Sequence, residues 1–287
     1  MSKFVIYTDS ACDISKEILD SWGVGLLELS FQFNGSDEVY LNSMISPKEI
    51  YGKMRSGTMG KTSAVNMETF KEAFCKELSN GVDVLYIGLS SGISGTYNSA
   101  RLAAEELLEE YPENRVIAID SLCASAGQGL LLKLAVDKKA EGASLEETAR
   151  HVMEKRPGLC HWFTVDDLKY LKAGGRVSAA SAFVGGVLNI KPVLHVDDEG
   201  HLINMQKVRG RRAALNAFLD KYDELASDKM GEVYISQADC MDDAEYVKAE
   251  LEARFGARVT LITDIGPVIG LHAGPGTIAV FFEGTKR

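Results

Sequence analysis

Cysteine is scarce and scattered in this chain. Five thiols occur among 287 residues, at Cys12, Cys75, Cys123, Cys160 and Cys240, and no C-x-x-C pair is present. An odd number of widely separated cysteines argues against a disulfide framework and against a cysteine-based zinc site. Long apolar runs are missing too. None approaches the roughly 18–20 residues that carry a helix across a bilayer. The first residues, MSKFVIYTDS, have too short an apolar stretch for a secretion signal and run directly into acidic residues, so a cytoplasmic location is expected. Positive charge is in deficit: Lys and Arg total 31 against 41 Asp and Glu, a net charge of −10. That balance argues against a nucleic-acid partner. The chain also lacks the P-loop lysine pattern, the G-x-G-x-x-G fingerprint, internal repeats and low-complexity segments.

What is present is an alternation of short apolar runs with amphipathic helical patterns. Residues 4–7, 24–29, 84–89 and 116–119 read as strands. Between them, Asp13 is expected to cap a helix that runs to Trp22 and stops at Gly23. Ser46-Pro47-Lys48-Glu49 forms a capping box with proline in the first helical position. Asn66 precedes a helix over 67–78, and further helices are predicted over 97–110 and 126–140. A second capping box at Ser144 opens a helix that ends near Arg156. Strands alternating with helices imply a mainly parallel sheet covered on both faces.

Pro157-Gly158 marks the expected domain boundary, giving an N-terminal α/β lobe over 1–157 and a C-terminal α/β lobe over 158–287. The second half predicts strands over 160–165, 233–236, 259–263 and 277–282, and helices to Lys172 and over 211–225 and 243–255. The turn Asp197-Asp198-Glu199-Gly200 joins strands 190–196 and 201–206 as an antiparallel hairpin, so this sheet is mixed. A ligand crevice is expected between the lobes.

The loop 90–96, SSGISGT, is the strongest local signal. It joins a strand to a helix and places small hydroxyls, two glycines and a helix N-terminus at one point, which suits a carboxylate or a phosphate. Thr8-Asp9-Ser10 and Asp120-Ser121 lie at other strand ends, and Gly60-Lys61-Thr62-Ser63-Ala64 is expected as a loop with two adjacent hydroxyls. In the second half, Arg176 follows a double glycine, and His272 lies among four glycines and two prolines in GPVIGLHAGPG, residues 266–276, which reads as a loop. His195 and His201 bracket the hairpin turn and read as surface residues; His151 and His161 have no supporting spacing.

These segments, TDSACDI from Thr8, Thr62-Ser63, SSGISGTYNSA from Ser90, Asp120-Ser121, LKYLKAGGR ending at Arg176 and GPVIGLHAGPG, resemble the DegV family in the family's order along the chain, over about residues 3–284. The resemblance implies a two-lobed α/β protein that buries one long-chain fatty acid, palmitate-like, between its lobes. It implies no further cofactor, and a role as the binding subunit of a bacterial fatty-acid kinase rather than as an enzyme itself. Thr62 and Ser94 match the hydroxyls that hold the carboxylate, and Arg176 and His272 match the basic residues around it. The N–H of Gly95 is a further donor. For phosphoryl transfer by a kinase, Arg176 and His272 would support the growing charge. Residues 179–188, AASAFVGGVL, would wall the tail cavity, with Phe183, Val184 and Leu188 as its apolar surface. Lys207, Arg209, Arg211 and Arg212 form a dense basic cluster where the kinase would dock. The family's usual continuation after Thr-Ser is replaced here by Ala64-Val65-Asn66.

Two other classes of function compete. A serine hydrolase would use Ser94 as nucleophile and His272 as base, oriented by Asp9 or Asp120, but the G-x-S-x-G elbow fails because Thr96 holds its last position. A nucleotide-binding module would use the same loop for phosphate without either phosphate-binding fingerprint.

Overall fold

The structure, a computed structural model, describes residues 3–177 and 189–287. The predicted wall residues Phe183, Val184 and Leu188 lie outside the described residues. The described residues form three sheets. The first is parallel, with β1 (Phe4–Asp9) between β2 (Val24–Leu27) and β6 (Asp83–Gly88), and β7 (Val116–Asp120) beyond β6. A small antiparallel sheet sets β3 (Ser30–Phe33) between β4 (Tyr40–Leu41) and β5 (Gly60–Ser63). The third has the order β10-β9-β8-β13-β11-β12, comprising β8 (Leu159–Thr164), β9 (Ile190–Val196), β10 (Leu202–Arg209), β11 (Glu232–Gln237), β12 (Arg258–Asp264) and β13 (Ile278–Glu283). Only β11 and β12 run parallel within it, and β9 and β10 form the expected hairpin.

Every residue of β6 is buried, as a strand covered on both faces requires. Met67–Leu78 and Thr96–Glu110 cover one face of the parallel sheet. Ala126–Ala140 covers the other and is itself covered by the third sheet. Gly127 and Gly129 make that double packing possible. A Cβ on Gly127 would fall 2.2 Å from His161, and one on Gly129 would fall 2.5 Å from Ile14. One hydrophobic cluster joins Ile6 and Leu85 of the first sheet, Leu130 and Leu132 of the helix, and Leu194 and Phe281 of the third.

Most helix boundaries follow their caps. Asn66 accepts from Thr69 N–H at 2.9 Å, and Ser144 and Glu147 complete a reciprocal capping box. Gly23 ends the first α-helix at φ +65°. That helix, Lys16–Trp22, is capped by Ser15 rather than by Asp13. Asp13 is instead buried in the left-handed region, where its carboxylate accepts from Ser125 and from Gly266 N–H. The predicted loop at residues 60–64 is largely strand β5, held by its register with β3. Residues 267–273 are not loop but the helix Pro267–Ala273, bounded by Gly266 and Gly274 with proline in its first turn. His195 is not a surface residue. It is 5% exposed, stacks on Trp162 at 4.4 Å, and donates from Nδ1 to the carbonyl of His161.

Candidate functional site

The loops after β1, β6 and β7 face the third sheet, and a cavity of about 140 Å³ lies between them. Its walls are mainly apolar, including Leu89, Ile93, Phe163, Val268 and Phe281. Thr62, Ser94, Gly95, Arg176 and His272, five residues spread over 211 positions of sequence, all line this cavity.

Thr62 stands on β5 opposite Phe31, and His272 stands near the end of Pro267–Ala273, which packs against β5. Their side chains meet at 2.7 Å between Oγ1 and Nε2. Burial, followed by the positive charge of Arg176, pushes the imidazole down to about 4, so it is neutral at pH 7. Its Nδ1 is buried without a hydrogen-bond partner among the described residues. Gly174 explains how the ring fits, because a Cβ there would fall 2.1 Å from Nδ1. Arg176 follows Gly175, whose φ of +70° turns the chain. Its guanidinium is half-buried and donates to the carbonyls of Ile93 and Gly174. It lines both the cavity and an adjoining cleft of about 530 Å³ that includes Gly92, His201 and Ile203. Arg176 therefore stands where the cavity and the cleft adjoin, with Ile93 and Leu202.

Ser94 Oγ lies 2.9 Å from Thr96 Oγ1 and accepts from Thr96 N–H at 3.2 Å. With Thr96 donating, the Ser94 O–H is free to turn toward an anion. Gly95 is the N-cap of the fifteen-residue helix Thr96–Glu110, whose dipole adds positive potential at this end of the cavity. Gly92 does not approach the cavity's contents as a backbone contact. Its missing side chain admits the carbonyl of Gly200, to which a Cβ would lie 2.7 Å.

The hydrolase arrangement is not assembled. His272 Nε2 bonds Thr62 rather than Ser94. Asp9 is buried and accepts from Ala11 N–H, Leu89 N–H and the Tyr86 hydroxyl, while Asp120 accepts from Ser91 and Leu122 N–H. The basic cluster is also less free than its sequence suggests. Arg211 pairs with Asp243 at 2.8 Å and Asp166 at 3.5 Å, and Arg212 lies over the Tyr246 ring at 3.4 Å. Pairing with these carboxylates explains Arg211 at a helix start, where the dipole alone would disfavour it.

Three polar residues of the cavity were not predicted: His161, Ser125 and Thr277. His161 gave only the signal of a histidine inside a strand, two positions before Phe163. Ser125 hydrogen-bonds Asp13 and Ser236, and Thr277 donates to the carbonyls of Ala273 and Gly274, tying β13 to the helix of His272.

A three-sheet α/β protein with a mainly apolar cavity that five candidate polar residues line thus emerges. The chain belongs to the DegV family: the family model, described as an uncharacterised protein of the DegV family, matches residues 3–285. A DegV domain-containing protein of Clostridium perfringens is 40% identical over 100% of this chain and 99% of its own length. Among solved structures, a DegV family protein from Thermus thermophilus, described for its fatty acid binding, is 30% identical. It superposes with a TM-score of 0.89 over 98% of this chain and 99% of that one. A DegV lipid-binding protein from Thermotoga maritima is also 30% identical, with a TM-score of 0.85 over 99% of each chain.

Proposed function

We propose that this chain binds one long-chain fatty acid, with the tail in the apolar cavity and the carboxylate at the end formed by Thr62, Ser94, Gly95 and Arg176. The observation that carries the reading is that Thr62, Ser94, Gly95, Arg176 and His272 all line one mainly apolar cavity, where Thr62 bonds His272 and Arg176 bonds the carbonyl beside Ser94. A carboxylate buried without partners costs several kcal/mol, so such a cavity takes an acid only where donors are concentrated. His272 completes the set as a relay. With its Nε2–H donating to Thr62 Oγ1, the Thr62 O–H points its own hydrogen at the acid. The fatty acid and lipid bound by the Thermus and Thermotoga relatives agree with this ligand class.

The bound acid is then offered to a separate kinase through the cleft beyond Arg176. There a carboxylate oxygen would attack the terminal phosphate of a nucleoside triphosphate, giving an acyl phosphate and releasing the diphosphate. Arg176 and His272 would steady the charge on the transferring phosphoryl group. The kinase would dock at the basic cluster, where Arg209 is exposed and Arg211 is already paired. Native mass spectrometry with lipid extraction tests the carrier: one fatty acid per chain is expected. A covalent acyl adduct on Ser94 would replace this reading with the hydrolase.

A further inference from the structure

The helix that carries His272 is too short to hold its own place. Pro267–Ala273 has seven residues, and a helix of that length is not stable alone. It belongs by sequence to the second half of the chain, yet the side chains that bond its start come from the first half. Asp13 Oδ1 accepts from Gly266 N–H at 2.9 Å, and Asn42 Oδ1 accepts from Val268 N–H at 2.9 Å. The Tyr51 hydroxyl donates to the carbonyl of Ile265 at 2.6 Å. Three backbone groups around one helix entry are thus held by side chains from three different parts of the N-terminal half.

Each of these side chains is fixed in turn. Asp13 follows the turn after β1 at φ +52°; its second oxygen accepts from Ser125, and its carbonyl accepts from the Thr263 hydroxyl at 2.8 Å. Asn42 follows β4, and its N–H donates to the carbonyl of Leu29 at 3.1 Å. Tyr51 is fully buried on the helix Pro47–Arg55, and Gly270 leaves room for its hydroxyl. Gly266 admits the other two, because a Cβ there would fall 2.9 Å from both Asp13 Oδ1 and Asn42 Nδ2. Six residues further on, about 9 Å along the helix axis, His272 meets Thr62. The helix is therefore bonded at its start and near its end to the N-terminal half.

We infer that Asp13, Asn42 and Tyr51 are positioning residues, which set the helix of His272 so that its imidazole meets the Thr62 hydroxyl. The inference rests on the carboxylate site proposed above and adds the groups that assemble it. None of the three is among the described residues that line the cavity, so they act through the helix and not on the ligand. A carboxylate suits position 13 because two donors, Gly266 N–H and the Ser125 hydroxyl, approach from different elements and each finds its own oxygen. If the entry slackens, the ring is free to leave Thr62 and meet water. The Thr62 hydroxyl then loses the partner that orients it.

The test uses the whole protein, stripped of lipid, with nitrogen-15 NMR of the His272 ring and a titration with stearic acid. In the unaltered protein, burial and Arg176 hold the titration of this ring down at about 4. Asp13→Gly accepts the left-handed backbone without strain and removes the carboxylate. Asn42→Ala and Tyr51→Phe each remove one of the other two bonds. Each variant should move the His272 titration up toward the usual value of about 6.5 and weaken stearic acid binding about three- to tenfold. Asp13→Asn keeps an acceptor for Gly266 N–H and should restore both readouts. Should Asp13→Gly fail to fold, Asn42→Ala and Tyr51→Phe carry the same test, since Asn42 is half-buried and phenylalanine keeps the ring of Tyr51. A lower urea midpoint with the His272 titration unmoved in every folded variant would overturn the inference and leave the carrier standing. If the unaltered protein binds no stearic acid, the carrier reading falls and the inference falls with it.

Discussion

Two buried imidazoles, His272 and His161, line the same cavity, and different neighbours hold them. His272 shares its Nε2 with the Thr62 hydroxyl and faces Arg176, so its end gathers donors around a site for negative charge. His161 has Nδ1 committed to the carbonyl of Leu159 and Nε2 packed without a partner against Gly127. Burial makes both rings neutral. Each ring bonds through one nitrogen and buries the other unpaired against a glycine, so the bonded partner separates them: a side-chain hydroxyl at His272, a backbone carbonyl at His161.

The sharpest way to break the contrast is to act on turnover. If the His272 end supports phosphoryl transfer, Arg176→Met and His272→Ala should each cut acyl-phosphate formation by the cognate kinase roughly a hundredfold, with fatty-acid affinity changing less than tenfold. Equal losses in both measurements would make the two residues ligand holders only. His161→Phe should leave turnover on a plain acid near its normal rate.

Affinity comes next. Thr62→Val and Ser94→Ala each remove a hydrogen bond to a charged group, worth about 1.5–3 kcal/mol, and should weaken binding of a fluorescent fatty acid about ten- to hundredfold. Unchanged affinity in both would move the carboxylate elsewhere. His161→Phe is the control, because that ring bonds only a backbone carbonyl.

Acid stability sharpens the comparison further. Both imidazoles titrate below the usual histidine value of about 6.5 in the folded state, so the stability they confer is complete above that pH and is lost as the pH falls. Asp13 opposes them. Burial pushes its carboxyl up to about 7, so its contribution is complete below the usual carboxylate value of about 4 and is lost as the pH rises toward 7. Between roughly pH 4 and 6.5 the effects counteract. Asp13→Asn should steepen the fall in urea midpoint on acidification, and His161→Phe should flatten it. An unchanged slope in both variants would refute this account.

The smallest effect expected is at the docking surface. Arg209→Glu should slow association with the kinase by a few-fold at low salt, and the difference should vanish at high salt. A salt-independent loss would place the residue in a packed contact instead.

Much of this architecture could be read from caps and turns. Ser144 with Glu147, Asn66 and the Asp197–Gly200 turn place their elements because the signal is local. The strand β5 could not be read that way, since Gly-Lys-Thr-Ser has no apolar alternation and is held by pairing with β3. The helix of His272 was obscured by its glycines. Gly266 and Gly274 are its two caps, and Gly270 inside it leaves room for the Tyr51 hydroxyl. Of the proposed carboxylate ligands, Ser94 and Gly95 were legible because they follow a strand and Arg176 because it follows a double glycine, whereas Thr62 lies within β5 and His272 within a helix. His161 was not, because all of β8 is buried and no polar alternation distinguishes the cavity face. The carboxylates that pair Arg211 stand 32 and 45 positions away, beyond any local pattern.

Gly92 and Gly200 meet where the loop of Ser94 touches the tip of the β9–β10 hairpin, and Ser90 Oγ donates across the same junction to the Gly200 carbonyl at 2.9 Å. A junction sealed by two residues without side chains has a thickness set by backbone alone, and the smallest wedge that opens it is one methyl group. Gly92→Ala would therefore act on time rather than on recognition. On the proposed function, the acid would meet the same donors and leave them sooner, and a carrier that must wait for a partner is limited by how long it keeps its cargo between encounters.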